Sequence, residues 1–230
     1  MAGKYINATK AMNNKLVIFD LDGTLLNTIG DLAAGCDHML RLRDLPTHSF
    51  EDYCSFVGNG IMRLVERALP AELRTPEYVA AARRDFVDYY IDHIDLYTQP
   101  YEGIIELVND LATEGVKIAI ASNKFQAGTD KLIRKFFPNT EFVMICGNRE
   151  GVPLKPDTAL VNMILQAGAT EPERCVMVGD SAVDILTAKR AGIISVGVSW
   201  GFRSREELEQ AGADYIADSV QQLKAILSTI

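Results

Sequence analysis

Apolar positions along the chain follow two periods, and the switches between them outline the fold. Short runs rich in β-branched residues occupy Lys15 to Asp20, Lys117 to Ala121, Phe142 to Cys146, Arg174 to Val178 and Ile194 to Val198. Each is short enough to read as a strand buried on both faces. Segments with apolar residues at helical spacing lie between them. Gly103 to Glu114 puts Ile104, Leu107, Val108 and Leu111 on one face and stops at Gly115. Thr158 to Ala167 does the same with Leu160, Val161, Ile164 and Leu165, and Ala182 to Ala191 ends at Gly192. Ser204 to Gln210 opens with a Ser-x-x-Glu capping box, Ser204 with Glu207, and Ser219 to Leu227 closes the chain. Strand alternating with helix predicts βαβ units, hence an α/β fold with a central, mostly parallel sheet.

One segment breaks the alternation. Between the first strand and residue 100 no strand pattern occurs, whereas Thr28 to Arg43, Ser49 to Phe56, Ile61 to Leu69 and Pro76 to Tyr97 all read as helices. A helical block inserted there predicts a small separate unit, residues 27–99, set over a core of residues 15–26 and 100–230. Gln99-Pro100-Tyr101 is the expected return linker. Residues 1–14 have no clear period and read as a mobile tail or a short helix outside both units.

The first strand runs into Phe19-Asp20-Leu21-Asp22-Gly23-Thr24-Leu25-Leu26. Two carboxylates two residues apart share one side of an extended backbone, and open parallel sheets bind ligands at the carboxyl ends of their strands. Two acids held together there are expected to flank a cation. Asp20 has the chemistry of a nucleophile that forms an aspartyl phosphate. Asp22 is placed to protonate a leaving alcohol and then deprotonate water, with Mg²⁺ neutralising the pair. A calcium loop needs further oxygen donors and a closing Glu, and positions 25 to 31 do not supply that pattern.

Composition narrows the partners. The 230 residues are 48% hydrophobic and 23% charged, with a net charge of -8 that argues against nucleic acid. Cys36, Cys54, Cys146 and Cys175 are widely spaced, which reads as core thiols rather than disulfides or a zinc site. No apolar run reaches membrane-spanning length and no leader pattern is evident, so a cytoplasmic enzyme without membrane partners is expected. The oligomeric state is left open, as monomer or dimer.

Three more strand ends carry chemistry. Ser122-Asn123-Lys124 offers a hydroxyl and backbone N–H groups to a phosphate oxygen. Lys155, in Leu154-Lys155-Pro156-Asp157, supplies a compact positive charge. In Gly179-Asp180-Ser181-Ala182-Val183-Asp184 two further carboxylates lie four apart at a helix entry.

Together these four stretches resemble the ordered motifs of the haloacid dehalogenase-like superfamily, and the resemblance spans residues 15 to 230. It implies a Rossmann-like core with a helical cap after strand one. It implies Mg²⁺ held by Asp20, the Asp22 backbone carbonyl and Asp180, with Asp184 orienting a metal water or Lys155 from behind. Thr24, Ser122, Asn123 and Lys155 would hold the phosphoryl oxygens. Asp22 separates the chain from the dehalogenase and phosphonatase branches and leaves a phosphatase or a phosphomutase. Phe56-Val57-Gly58-Asn59-Gly60 and Gly197-Val198-Ser199-Trp200-Gly201-Phe202 are similar to the phosphoglycolate phosphatase group, which makes Gly58, Asn59 and Gly60 candidate substrate-binding residues. The implied substrate is a small phosphomonoester such as 2-phosphoglycolate. The alternatives are a β-phosphoglucomutase-like mutase, or a pyrophosphatase or nucleotidase. Asn27-Thr28 departs from the Asp-Ser or Asp-Thr common in relatives. His38, His48 and His93 fall in the cap and read as packing or surface residues, as does Arg63. Trp200 is expected to pack beneath the site.

Overall fold

The structure is a computed structural model that describes residues 14–230. The tail or short helix expected at the amino terminus lies, Asn14 apart, outside the described residues. In chain order come β1 (Leu16–Phe19), β2 (Leu26–Asn27), α1 (Ile29–Arg41), α2 (Phe50–Phe56), α3 (Gly60–Ala68), α4 (Pro76–His93) and β3 (Gln99–Pro100). There follow α5 (Ile104–Thr113), β4 (Lys117–Phe125), α6 (Gln126–Phe136), β5 (Met144–Asn148) and α7 (Ala159–Gly168). The chain ends with β6 (Cys175–Gly179), α8 (Ala182–Ala191), β7 (Ile194–Val198), α9 (Arg205–Ala211), β8 (Tyr215–Ala217) and α10 (Val220–Thr229).

Six strands form one parallel sheet in the order β5-β4-β1-β6-β7-β8. β1 is central, with Ile18 aligned to Ala119 on one side and Met177 on the other. All four of its residues are buried. Leu16 and Ile18 pack toward Leu160, Val161, Ile164 and Ala188, while Val17 and Phe19 join the larger cluster on the other face. Helices cover both faces, which is why the strand reads as an unbroken apolar run. Each such side chain contributes roughly 1.5–3 kcal/mol of burial.

Helices α1 to α4 lie between β2 and β3, whose antiparallel pairing (Leu26 with Pro100, Asn27 with Gln99) closes the excursion where it leaves and rejoins the sheet. The helices stand over the carboxyl ends of the strands. Asn123 Nδ2 donates to Gly58 O at 3.0 Å, and Lys131 Nζ to Ile91 O at 2.8 Å.

Several expectations shift in detail. The strand expected to end at Ala121 continues to Phe125, with a bulge that places Ser122 to Lys124 inside it. The strand expected at Phe142 begins at Met144. Helix α6 and the edge strand β8 carry signals too short to stand out: α6 buries Leu132 and Ile133 through charged neighbours, and β8 has three residues. The capping box at Ser204 is half formed. Ser204 accepts the Glu207 N–H at 3.4 Å, but the Glu207 carboxylate is drawn away to accept the N–H of Ala182, at the start of α8, at 3.0 Å. Among the described residues no helix is long and apolar enough to cross a membrane, and all four cysteines are free thiols.

Candidate active site

β1 delivers Asp20 to the carboxyl edge of the sheet, where its N–H donates to Val178 O at 2.9 Å. The chain then turns tightly. The Leu21 carbonyl accepts the N–H groups of Thr24, Leu25 and Leu26 at 3.3, 3.1 and 3.0 Å. Gly23 sits in this turn at φ +85°, a backbone region that only glycine enters without strain, and a Cβ there would run into the Asp180 carboxylate. Asp20 and Asp22 both face one cleft, whose opposite wall is Val57, Gly58, Gly60 and Ile61. Gly58 adopts φ +107° in that wall, so its loop too depends on glycine.

Lys155, on the loop before α7, lies between two acids: Nζ donates to Asp184 Oδ1 at 2.7 Å and is 3.0 Å from Asp20 Oδ1. The second contact is an ion pair without hydrogen-bond alignment, leaving Asp20 Oδ1 buried with no donor aimed at it. Burial opposes the Lys155 charge, but Asp184 and Asp20 hold its ammonium above the ordinary lysine range. Burial is also what pushes the Asp20 carboxyl up, to about 7; Lys155 opposes the rise, while Asp184 and Asp22 add to it. Asp180 is driven well above the ordinary carboxylate range by burial and then by Asp184 and Asp20.

Oxygens of Asp20, Asp180 and Asp184 lie within 4.8 Å of one another. Both Asp184 oxygens are engaged, Oδ1 by Lys155 and Oδ2 by the Ser181 N–H (3.2 Å) and hydroxyl (2.7 Å). Asp20 retains its undirected oxygen, and Asp180 holds one oxygen against the Phe202 N–H at 2.7 Å. Hard carboxylate oxygens, mutual repulsion and an orphaned acceptor fit a divalent cation.

The other expected residues divide by what they face. Ser122 and Asn123 line the cleft. The Asn123 side chain is committed to backbone, donating to Lys155 O (3.1 Å) and Gly58 O and accepting Lys155 N–H (2.9 Å). Thr24 is fully buried, with its hydroxyl 3.5 Å from Asp180 Oδ1. Asn59 turns its side-chain oxygen to Arg67 Nη2 at 2.8 Å. Neither Thr24 nor Asn59 lines the cleft, whereas Gly58 and Gly60 do.

A family model for haloacid dehalogenase-like hydrolases matches residues 17–198, which takes in all four motif stretches. The chain belongs to this family. It is 34% identical over 200 residues to the phosphoglycolate phosphatase of Mesorhizobium japonicum, spanning 86% of this chain and 88% of that protein. The Caulobacter vibrioides phosphoglycolate phosphatase is 33% identical over 211 residues, or 90% and 88% of the two chains. A crystal structure assigned as a phosphoglycolate phosphatase from Lactobacillus delbrueckii subsp. bulgaricus superposes with a TM-score of 0.87 at 29% identity, covering 94% of this chain and 99% of that one.

The sequence reading gives no role to the side chains of two cations at this hydrolase's cleft. Lys124 Nζ donates to Asp22 Oδ1 at 3.0 Å and to the Tyr90 hydroxyl at 2.7 Å. Its signal was present in outline, since Lys124 stands two residues after Ser122 in the same strand-end stretch. Arg203, between β7 and α9, donates to the carbonyls of Cys54 (2.5 Å), Ser55 (3.3 Å) and Val57 (2.6 Å) at the end of α2. No local pattern announces a partner nearly 150 residues away. Away from the cleft, His38, Tyr89 and His93 form a ring stack with centroids 4.1 and 4.0 Å apart, and Arg63 pairs with Glu66 at 2.5 Å on an exposed face. Trp200 Nε1 donates to Thr24 O at 3.1 Å, beneath the turn.

Proposed function

We infer that this hydrolase cleaves small phosphomonoesters with the help of Mg²⁺, that 2-phosphoglycolate is its substrate, and that residues 27–99 act as a cap over the reaction. The observation that carries the reading is Asp20: a buried carboxylate with one oxygen left without a donor, beside Lys155 and facing the cleft with Asp22. A carboxylate held at a strand end and paired to Lys155 rather than locked by aligned hydrogen bonds is prepared for in-line attack.

Asp20 attacks phosphorus through a carboxylate oxygen, forming the aspartyl phosphate while the bond from phosphorus to the ester oxygen breaks. Asp22 gives its proton to the departing alkoxide. Asp22 then takes a proton from water, whose oxygen attacks the phosphorus, and the bond to Asp20 breaks to release inorganic phosphate. The Ser122 hydroxyl faces the phosphoryl oxygens from the cleft wall, while Lys155, which does not itself line the cleft, acts on Asp20 through their 3.0 Å ion pair. When bound between Asp20, the Asp22 carbonyl and Asp180, Mg²⁺ supplies charge neutralisation for the phosphate dianion. Asp184 fixes Lys155, and Gly58 and Gly60 bring backbone to the substrate from the cap side, with Asn59 held between them by Arg67. Similarity to phosphoglycolate phosphatases over most of both chains supports the choice of substrate. Free thiols accord with a reducing, cytoplasmic setting.

The test is phosphate release from 2-phosphoglycolate, β-glucose 1-phosphate, pyrophosphate and a nucleotide, with Mg²⁺ and with chelator. Metal-dependent release, greatest from 2-phosphoglycolate, is the expected result, and Asp20→Asn should lower turnover by about a thousandfold or more. Isomerisation of glucose 1-phosphate, or preferred release from pyrophosphate, would overturn the substrate. Near wild-type turnover by Asp20→Asn would overturn the mechanism.

A further inference from the structure

Lys124 is only 4% exposed. A buried ammonium is stable only when its donors are met, and here they are met from two directions. Asp22, on the turn after β1, takes Nζ at 3.0 and 3.3 Å through its two oxygens. The Tyr90 hydroxyl, on α4, takes it at 2.7 Å, and Nζ stands 4.9 Å from the centroid of the same ring. Tyr90 is itself fully buried and stacks on Phe86 with centroids 5.0 Å apart, so its hydroxyl has a fixed place.

These three groups come from three separate elements. Lys124 is on β4, in the bulge between Ala121 and Phe125, on the strand that pairs with β1 through Lys117 to Ile120. Asp22 is on the short turn after β1. Tyr90 belongs to the helices joined to the core through the β2–β3 ribbon. We propose that Lys124 is a positioning residue for Asp22 and that the Tyr90 hydroxyl, carried by the cap, sets Lys124. The role rests on the phosphatase reading above, in which Asp22 protonates the leaving alcohol. Lys124 aims the Asp22 carboxyl group; Tyr90 keeps Lys124 at that spot only while α4 is seated. The placement of the cap is thereby read out at the proton-transfer group.

A positioning role for the proton donor predicts a dependence on the leaving group that a merely structural lysine would lack. An alkyl phosphate needs its departing oxygen protonated, whereas p-nitrophenolate leaves unaided. Wild type, Lys124→Met, Tyr90→Phe and Asp22→Asn are compared on 2-phosphoglycolate and p-nitrophenyl phosphate at saturating Mg²⁺. Lys124→Met should lose about 100-fold in kcat on 2-phosphoglycolate, the lower range for general acid–base catalysis, and under about 5-fold on p-nitrophenyl phosphate. Tyr90→Phe, which keeps the ring, should lose about 5- to 20-fold on the alkyl ester alone, with KM little changed. Lys124→Met/Asp22→Asn should be no slower than Asp22→Asn, as for two groups acting through one step.

Equal losses on both esters, or full additivity in the double variant, would overturn the positioning role and leave the phosphatase reading standing. Wild-type protein that cleaves neither ester would overturn the phosphatase reading, and the positioning role with it. Should Lys124→Met fail to fold, Tyr90→Phe decides alone: a loss confined to the alkyl ester supports the role, and an unchanged or uniform profile ends it.

Discussion

A methyl group at Gly201 would land on the Asp180 side chain and 2.5 Å from the Gly23 carbonyl oxygen. Neither the Gly23 carbonyl nor the Asp180 Cβ is the free end of a side chain, so the loop after β7 must shift away from them, and the Asp180 carboxylate loses its seat. Its neighbour Phe202 donates an N–H to Asp180 Oδ2 at 2.7 Å, which makes the loop after β7 the mould in which this acid is set. Supporting groups of this kind typically change metal affinity by 10- to 100-fold when disturbed. Gly201→Ala should therefore raise the Mg²⁺ concentration for half-maximal activity by about tenfold or more, with near-normal kcat recovered at high Mg²⁺. Titrating activity against Mg²⁺ checks this. A lowered kcat at unchanged metal dependence would show that Asp180 had not been the residue displaced. The Gly179 position reports similar crowding against Asp184, so close backbone approach at this site is a property of its acids rather than of one turn.

At the scale of elements, the two ends of the α1–α4 block are clasped together by Asp31. It is buried in the first turn of α1 and accepts the N–H of Tyr97 (3.0 Å), the N–H of Thr98 (2.8 Å) and the Thr98 hydroxyl (2.7 Å), in the segment between α4 and β3. Asp31→Ala leaves the two backbone donors without their acceptor, while the Thr98 hydroxyl keeps Ile94 O at 3.0 Å, at a cost of roughly 2–4 kcal/mol. Urea unfolding should show that loss, while Asp31→Asn, which keeps an acceptor, should lose less. The β1, β4, β6 and β7 strands and their chemistry were legible because each combines a short apolar run with a motif at a fixed end. The edge strand β8 and helix α6 were not: their stability comes from neighbours far along the chain, and local periodicity carries little of it. The same distinction separates Asp20, Asp22 and Asp180 from Arg203, which caps a helix belonging to another part of the molecule. It also explains Thr24 and Asn123. Their place at the site was implied by the family resemblance, but the partners that occupy their side chains, Asp180 and the backbone of Lys155, come from elsewhere in the chain.

Taken as a whole, the molecule concentrates negative charge where its sheet opens. The net charge of -8 is spread over the chain, but Asp20, Asp180 and Asp184 are brought within 4.8 Å and buried, with Lys155 as their counter-charge. Without a cation this arrangement costs stability, because burial and mutual repulsion both disfavour the ionised acids. The sign follows from linkage. An acid whose folded-state pKa is raised stabilises the fold below its unfolded value and loses that contribution as pH rises, for Asp20 between about 4 and about 7. At pH 8, above the Asp20 value, the metal-free fold has lost most of that contribution, and a cation that binds only the folded state offsets the loss. Mg²⁺ at a hundred times its dissociation constant should add about 2.7 kcal/mol, or roughly 5–11 °C in Tm for a chain of this size. Asp180→Asn separates the two contributions, since its amide oxygen still accepts the Phe202 N–H while one repelling charge is gone. In chelator its Tm should exceed wild type, and with Mg²⁺ its rise should largely vanish. A variant less stable than wild type in chelator would mean that Asp180 is held by its hydrogen bond more than it is strained by its charge. A full Mg²⁺ response in that variant would place the cation somewhere other than between Asp20 and Asp180.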